Sequence, residues 1–164
     1  MSAKRHSRGQ TRVYMAGPLF TTAERLHNLR LARALKKHLP NFVFVLPQQR
    51  AGRFLPDLRA VVADCLTQVK KADVLLACLD GPDADSGTCL EIGYAMALEK
   101  PVLGYRTDFR GSEADGVNAM LRYGCTRYIQ APSIAVAMRK LTVILADRLR
   151  APALIQRRAR GTKR

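Results

Sequence analysis

The chain has 164 residues, 48% of them apolar, enough to bury one core of ordinary domain size. No apolar run is long enough to span a bilayer, and the opening stretch MSAKRHSRGQTR lacks the apolar centre of an export signal. The net charge of +15 would point to nucleic acid, but much of the excess sits at the ends: residues 1–12 hold four Lys/Arg and residues 148–164 hold seven, while all 13 acidic residues lie between Glu24 and Asp147.

The basic stretches 1–12 and 151–164 therefore read as disordered, solubilising tails around a folded region of 13–150. No aromatics alternate with the basic residues in the manner that stacks bases, so nucleic acid is not an expected partner. Cys65, Cys78, Cys89 and Cys125 have no CxxC spacing and lie in or beside apolar segments, the pattern of reduced, buried thiols in a cytoplasmic chain. His6, His27 and His38 pair with no cysteine or carboxylate at a ligand spacing, so no metal is expected, and His27 and His38 read as helix-surface residues.

Along the chain, short β-branched or aromatic runs alternate with helical patterns. VYMAG (13–17) predicts a strand, and residues 22–39, with Leu26, Leu29, Leu35 and Leu39 among charges, predict a helix. FVFVL (42–46) is a second strand, followed by a Pro/Gly/Gln-rich loop. Residues 57–71 predict a helix with Leu58, Val61, Val62, Cys65, Leu66 and Val69 on its apolar side, and DVLLACL (73–79) a fully buried strand. A helix over 85–97, strands PVLGY (101–105) and RYIQ (127–130), and a helix capped by Ser133 and running to about Leu149 complete the pattern. Such alternation implies an α/β fold, a doubly wound five-stranded parallel sheet with helices on both faces. Ligands of such sheets bind at the carboxyl ends of the strands, which directs attention to loops 16–22, 47–56, 80–88 and 105–120.

The densest chemistry lies in DGPDADSGTCLEIGYAMA. Asp85 or Ser86 is placed to cap the helix, and Glu91 falls in about its first turn, where the helix terminus favours an ionised carboxylate. Such a carboxylate can act as a nucleophile, although glutamates are also common there simply because they complement the helix dipole. Gly87, Tyr94 and Ala95 share its side and leave room for a ligand. Asp85 beside Glu91 is a costly pairing of like charges unless something uses it. Across the sheet mouth, YMAGPLF turns through Gly17 and presents Phe20, either as an aromatic platform or as core. Neither GxGxxG nor a P-loop is present, which argues against a dinucleotide or triphosphate cradle.

VYMAGPLF, the block ADVLLACLDGPDADSGTCLEIGYAMALEKPVLGYRTDFR and VNAML, in this order over about residues 12–130, resemble the nucleoside 2-deoxyribosyltransferase family. The resemblance implies a flavodoxin-like fold and cofactor-free transfer of a deoxyribosyl group between nucleobases through a covalent sugar ester. By position it implies Glu91 as nucleophile, Tyr14 as the hydroxyl that orients it and Asp85 as the holder of the sugar 5′-hydroxyl. It also implies Phe20 stacking on the base, Gln48 or Gln49 at the base edge, and Asn118 and Met120 completing the site of a neighbouring subunit in a homo-oligomer. The acid that protonates the departing base falls on Cys65. Either Asp64, one residue away and about 100° around a helix, takes that role, or the proton comes from elsewhere. A rival within this resemblance is hydrolysis of a nucleoside 5′-monophosphate. Asp85 would repel the phosphate, whereas Ser86, Arg106 and Arg110 could bind it if turned inward. A third possibility is a non-catalytic nucleotide- or RNA-binding module.

Overall fold

The computed structural model describes residues 10–110 and 117–150, except the side chains of 148–150. The tails expected at 1–12 and 151–164 lie outside the described residues except at 10–12, where Thr11 and Arg12 open the first strand instead of belonging to a tail, with Arg12 donating to Gln68 Oε1 at 2.7 Å. Five strands, β1 (Thr11–Ala16), β2 (Phe42–Val45), β3 (Val74–Cys78), β4 (Val102–Arg106) and β5 (Arg127–Gln130), form one parallel sheet in the order β2-β1-β3-β4-β5. This is the flavodoxin-like order, with its topological switch between β1 and β3.

Among the described residues, five α-helices cover the sheet: α1 (Thr22–His38), α2 (Leu58–Lys71), α3 (Ser86–Ala97), α4 (Ala119–Gly124) and α5 (Ile134–Arg150). Period-two alternation along the strands splits the core into two. Val13 and Met15 point to one side, with Leu31 and Leu35 of α1 and Leu141 and Leu145 of α5. Tyr14 and Ala16 point to the other, with Val69 of α2 and Ile92 and Ala95 of α3. The same alternation aims the Tyr14 hydroxyl at α3. Side-chain caps open the helices: Thr21 forms a reciprocal capping box with Glu24 at α1, Asp57 accepts from Arg59 and Ala60 amides at α2, and Ser133 accepts from the Val136 amide at α5.

Three local features differ from the sequence reading. The 47–56 stretch contains two short 3₁₀ turns, Pro47–Gln49 and Ala51–Arg53. Helix α4 was not expected, because six residues are too few for a legible period; Asn118 caps it through the Met120 amide. On α2, Leu58 and Val62 were expected on the buried side but are 67% and 56% exposed. All four cysteines are free thiols, with only Cys78 fully buried.

Gly104 at the centre of β4 lies where the side chains that directly follow α4 and β3 converge. A Cβ there would stand 2.7 Å from Cys125 Sγ and 3.1 Å from Leu79 Cδ1. Gly104→Ala should therefore cost about 1–3 kcal/mol of stability by overpacking, read as a lower urea midpoint. Part of that loss should be recovered when Cys125→Ala is added to clear the space.

Candidate active site

The carboxyl ends of β1 and β3 frame the site. Tyr14, on β1, is fully buried, and its hydroxyl donates a short hydrogen bond to Glu91 Oε1 on α3. Burial, followed by the charge of Glu91, raises the Tyr14 phenol far above its ordinary range, so the phenol remains a donor. Glu91 is pushed up to about 7, first by burial; the Tyr14 hydrogen bond works against this and the charge of Asp85 adds to it. The carboxylate is thus poised between its two protonation states near neutrality.

The physical basis of this poise differs from the one read in the sequence. Helix α3 begins at Ser86, so Glu91 lies in its second turn, and the first turn contains no acidic residue. The terminus of the helix is too distant to hold the carboxylate ionised. Desolvation dominates instead, and the single phenolic donor offsets only part of it.

Asp85 is the α3 cap. Its Oδ2 accepts from the Thr88 amide at 2.8 Å and the buried Thr88 hydroxyl at 2.9 Å, leaving Oδ1 with no hydrogen bond among the described residues. The loop before it turns at Gly81, whose φ of +124° is available to glycine and whose added Cβ would stand 2.7 Å from the Asp83 carbonyl oxygen. Arg106 fastens this loop from below. It is only 1% exposed, and its guanidinium donates to the carbonyls of Leu79, Gly81 and Arg110. Arg110 is occupied by Asp108, whose carboxyl it holds well below the usual range. Both arginines are therefore engaged by protein groups and not free to hold a phosphate. Ser86 and Gly87 are exposed at the start of α3.

Asp64, expected as the acid, is fully engaged elsewhere. Arg50 grips it with two bonds, Nε to Oδ2 at 2.6 Å and Nη2 to Oδ1 at 2.7 Å, and Gln68 donates to Oδ1 at 2.9 Å. These bonds, that from Arg50 first, hold its carboxyl below the ordinary range, which opposes its acting as a proton donor near neutrality. Its neighbour Cys65 lies against the Tyr14 hydroxyl, and burial raises the thiol above its ordinary value, keeping it protonated. This contact was not foreseen: Cys65 falls on the apolar side of α2, where a thiol reads as packing.

On the far side of β1, Gly17 is required by packing, since a Cβ there would meet Cys78 Cβ at 3.0 Å. Phe20 is 71% exposed on the loop that follows. Gln48 is not an idle base-edge group in this structure: its Oε1 accepts from Asn28 at 3.1 Å and its Nε2 donates to the Arg25 carbonyl at 2.9 Å. Gln49 is exposed. Asn118 and Met120, both exposed (Met120 79%), sit at the α4 start. Tyr14, Glu91 and Asp85 are therefore brought together directly, while Asp64 and Gln48 are tied into neighbouring networks.

His27, Cys78 and Asp80 bring potential ligand atoms within 4.8 Å of one another. Each is already engaged: His27 Nε2 with the Tyr105 hydroxyl at 2.9 Å, Cys78 with the same hydroxyl, and Asp80 with the Thr107 hydroxyl and the amides of Thr107 and Asp108.

Residues 13–121 match the family described as Nucleoside 2-deoxyribosyltransferase. No curated protein matches the sequence. Among solved structures, a conserved protein from Enterococcus faecalis V583 is similar at a TM-score of 0.71 with 24% identity, over 85% of this chain and 99% of that one. A 2-desoxiribosyltransferase from Leishmania mexicana has a TM-score of 0.63 and 22% identity, over 81% and 97%. A CMP N-glycosidase from Clostridium botulinum has a TM-score of 0.61 and 17% identity, over 82% and 99%. These are likenesses of fold, in agreement with the strand order above.

The raised pKa of Glu91 has a consequence for stability. Between about 4.5 and 7 the folded state binds more protons at this site than the unfolded chain, so stability falls as pH rises through that window. The full effect is about 3 kcal/mol. Glu91→Gln does not titrate, so its stability relative to the parent should improve as pH goes from 5 to 8 in urea unfolding. An equal difference at both pH values would contradict the burial argument.

Proposed function

The chain belongs to the nucleoside 2-deoxyribosyltransferase family, and from that premise we propose that it cleaves the N-glycosidic bond of 2′-deoxyribonucleosides and passes the sugar to another nucleobase. The observation that carries this reading is the half-buried Glu91 carboxylate held by the Tyr14 hydroxyl beside Asp85.

In the first displacement, ionised Glu91 attacks C1′ of the sugar. The C1′–O bond forms as the C1′–N bond breaks, and the base departs with the bonding electrons and takes up a proton. Positive charge that develops on the sugar is stabilised by the adjacent carboxylate, whose desolvation strengthens that attraction. Tyr14 fixes the carboxylate's orientation and donates to one oxygen, leaving the other as the attacking atom. In the second displacement a free nucleobase attacks C1′, expels Glu91 as carboxylate and loses a proton. Two inversions give overall retention. Asp85 Oδ1 is the acceptor for the sugar 5′-hydroxyl. Asp64 holds Arg50, and with it the loop carrying Gln48, in place. Gln48 supports the Phe20 side of the cleft through Asn28, which also donates to the Pro18 carbonyl.

A nucleoside suits this site better than its 5′-monophosphate, because Asp85 would repel phosphate and Arg106 and Arg110 are already committed. Hydrolysis of a monophosphate remains the second reading, favoured by the exposed Ser86 at the α3 start, where a hydroxyl and helix amides can meet an anion.

A homo-oligomer would also give the exposed apolar residues a role. Leu58 and Val62 on α2, Leu90 on α3, and Met120 and Tyr123 on α4 all lie on helices of the same sheet face. Asn118 and Met120 would then complete a neighbouring site. Native mass spectrometry should find an oligomer; a strict monomer would remove both from that role.

Incubating the protein with deoxyinosine and adenine should yield deoxyadenosine, and Glu91→Ala should lower the rate on the order of 10⁴-fold while the fold is retained. Hypoxanthine released equally with and without adenine would indicate hydrolysis. The rate should rise with pH through about 7 as Glu91 ionises. Tyr14→Phe should move that rise to higher pH, because it removes the bond that favours the carboxylate.

A further inference from the structure

We propose that the outer face of α1 docks the phosphate backbone of a nucleic acid without regard to base sequence. The inner side of this helix is closed by Leu31, Ala32 and Leu35. Directly opposite, Arg30, Arg33 and Lys37 form an exposed strip at intervals of three and four residues. The strip is about 10 Å long at 1.5 Å per residue.

The other cations of α1 are used within the fold. Arg25 donates to the carbonyls of Leu19 and Phe20, and Lys36 to those of Pro40 and Phe42. Arg30, Arg33 and Lys37 have no such task and form no ion pair among the described residues. The only acid of the helix, Glu24, is occupied in the capping box. At these spacings the three cations repel one another, and a face serving solubility alone would intersperse signs. Helix α5, packed against α1, adds exposed Arg139 against a single acid, Asp147.

A duplex presents one negative charge per about 1.7 Å of its axis, so the strip faces more phosphates than it has cations. An anionic membrane fits less well, because surface-bound helices insert apolar side chains and this strip offers only Leu26. The strip carries no aromatic residue to stack on bases, which makes the contact one with phosphate alone. It lies on the opposite side of the sheet from Glu91, so it is independent of the glycosidic chemistry.

The test is fluorescence anisotropy of a labelled mixed-sequence DNA duplex with the full-length protein, across a salt series. The triple variant Arg30→Gln, Arg33→Gln, Lys37→Gln should bind at least tenfold more weakly at low salt and lower the log–log salt slope by about 2–3. A control, Arg59→Gln, Lys70→Gln, Arg127→Gln, removes the same charge from exposed positions elsewhere and should leave the slope nearly unchanged, as should Glu91→Ala. Circular dichroism checks that each variant is folded. Wild-type binding by the triple variant would place the affinity in the chain ends and overturn the proposal. Equal loss in the control would reduce it to net charge, and binding to phosphatidylserine vesicles but not to the duplex would replace it with a membrane surface.

Discussion

One contact organises the molecule: a carboxylate withdrawn from water and held by a single phenol. Glu91 would be far easier to accommodate at the surface, and its position costs stability at neutral pH because burial opposes its ionisation. The fold supplies what makes the position tenable. Alternation along β1 points Tyr14 toward α3, β1 and β3 lie side by side at the switch, where ligands of such sheets bind, and Asp85 caps α3 a turn and a half earlier. Functional sites commonly retain a group that the fold would be more stable without.

The surrounding loops are best understood as support for that contact. Buried Arg106 pins the loop carrying Gly81 through the carbonyls of Leu79 and Gly81 and also holds that of Arg110, and Asp80 ties the same loop to Thr107 and Asp108. On the other flank, Arg50–Asp64 secures the turn bearing Gln48, which in turn braces Asn28 and Pro18. Charge is divided in the same way. Acidic groups gather at the sheet mouth, apolar side chains remain exposed on α2, α3 and α4, and the exposed cations Arg30, Arg33 and Lys37 line the outer side of α1.

Much of this was legible in the residues themselves. The strand runs are short and β-branched, and the helices between them carry clear periods, so the doubly wound sheet followed from pattern alone. The candidate nucleophile and its cap were legible because DSGTCLE compresses acid, cap and small residues into one turn and a half. The less legible parts depend on tertiary partners. Nothing local says that Arg50 will reach Asp64, fourteen residues away, and engage both of its carboxylate oxygens. Gln48 is likewise claimed by Asn28, twenty residues earlier. The assignment of Glu91 to the helix terminus erred by a single turn, and that turn exchanges dipole stabilisation for desolvation. Leu58 and Val62 fit the apolar side of α2 by period, yet both are exposed, because period says which side is apolar and not how far the neighbouring elements reach over it.

The most direct measurement is acid-quenched mass spectrometry of the protein mixed with deoxyinosine in the absence of an acceptor base. The account predicts an added deoxyribosyl group, localised by peptide mapping to Glu91, that disappears when adenine is supplied. Release of hypoxanthine without any such adduct under rapid quench, or an adduct that persists in Glu91→Ala, would contradict it.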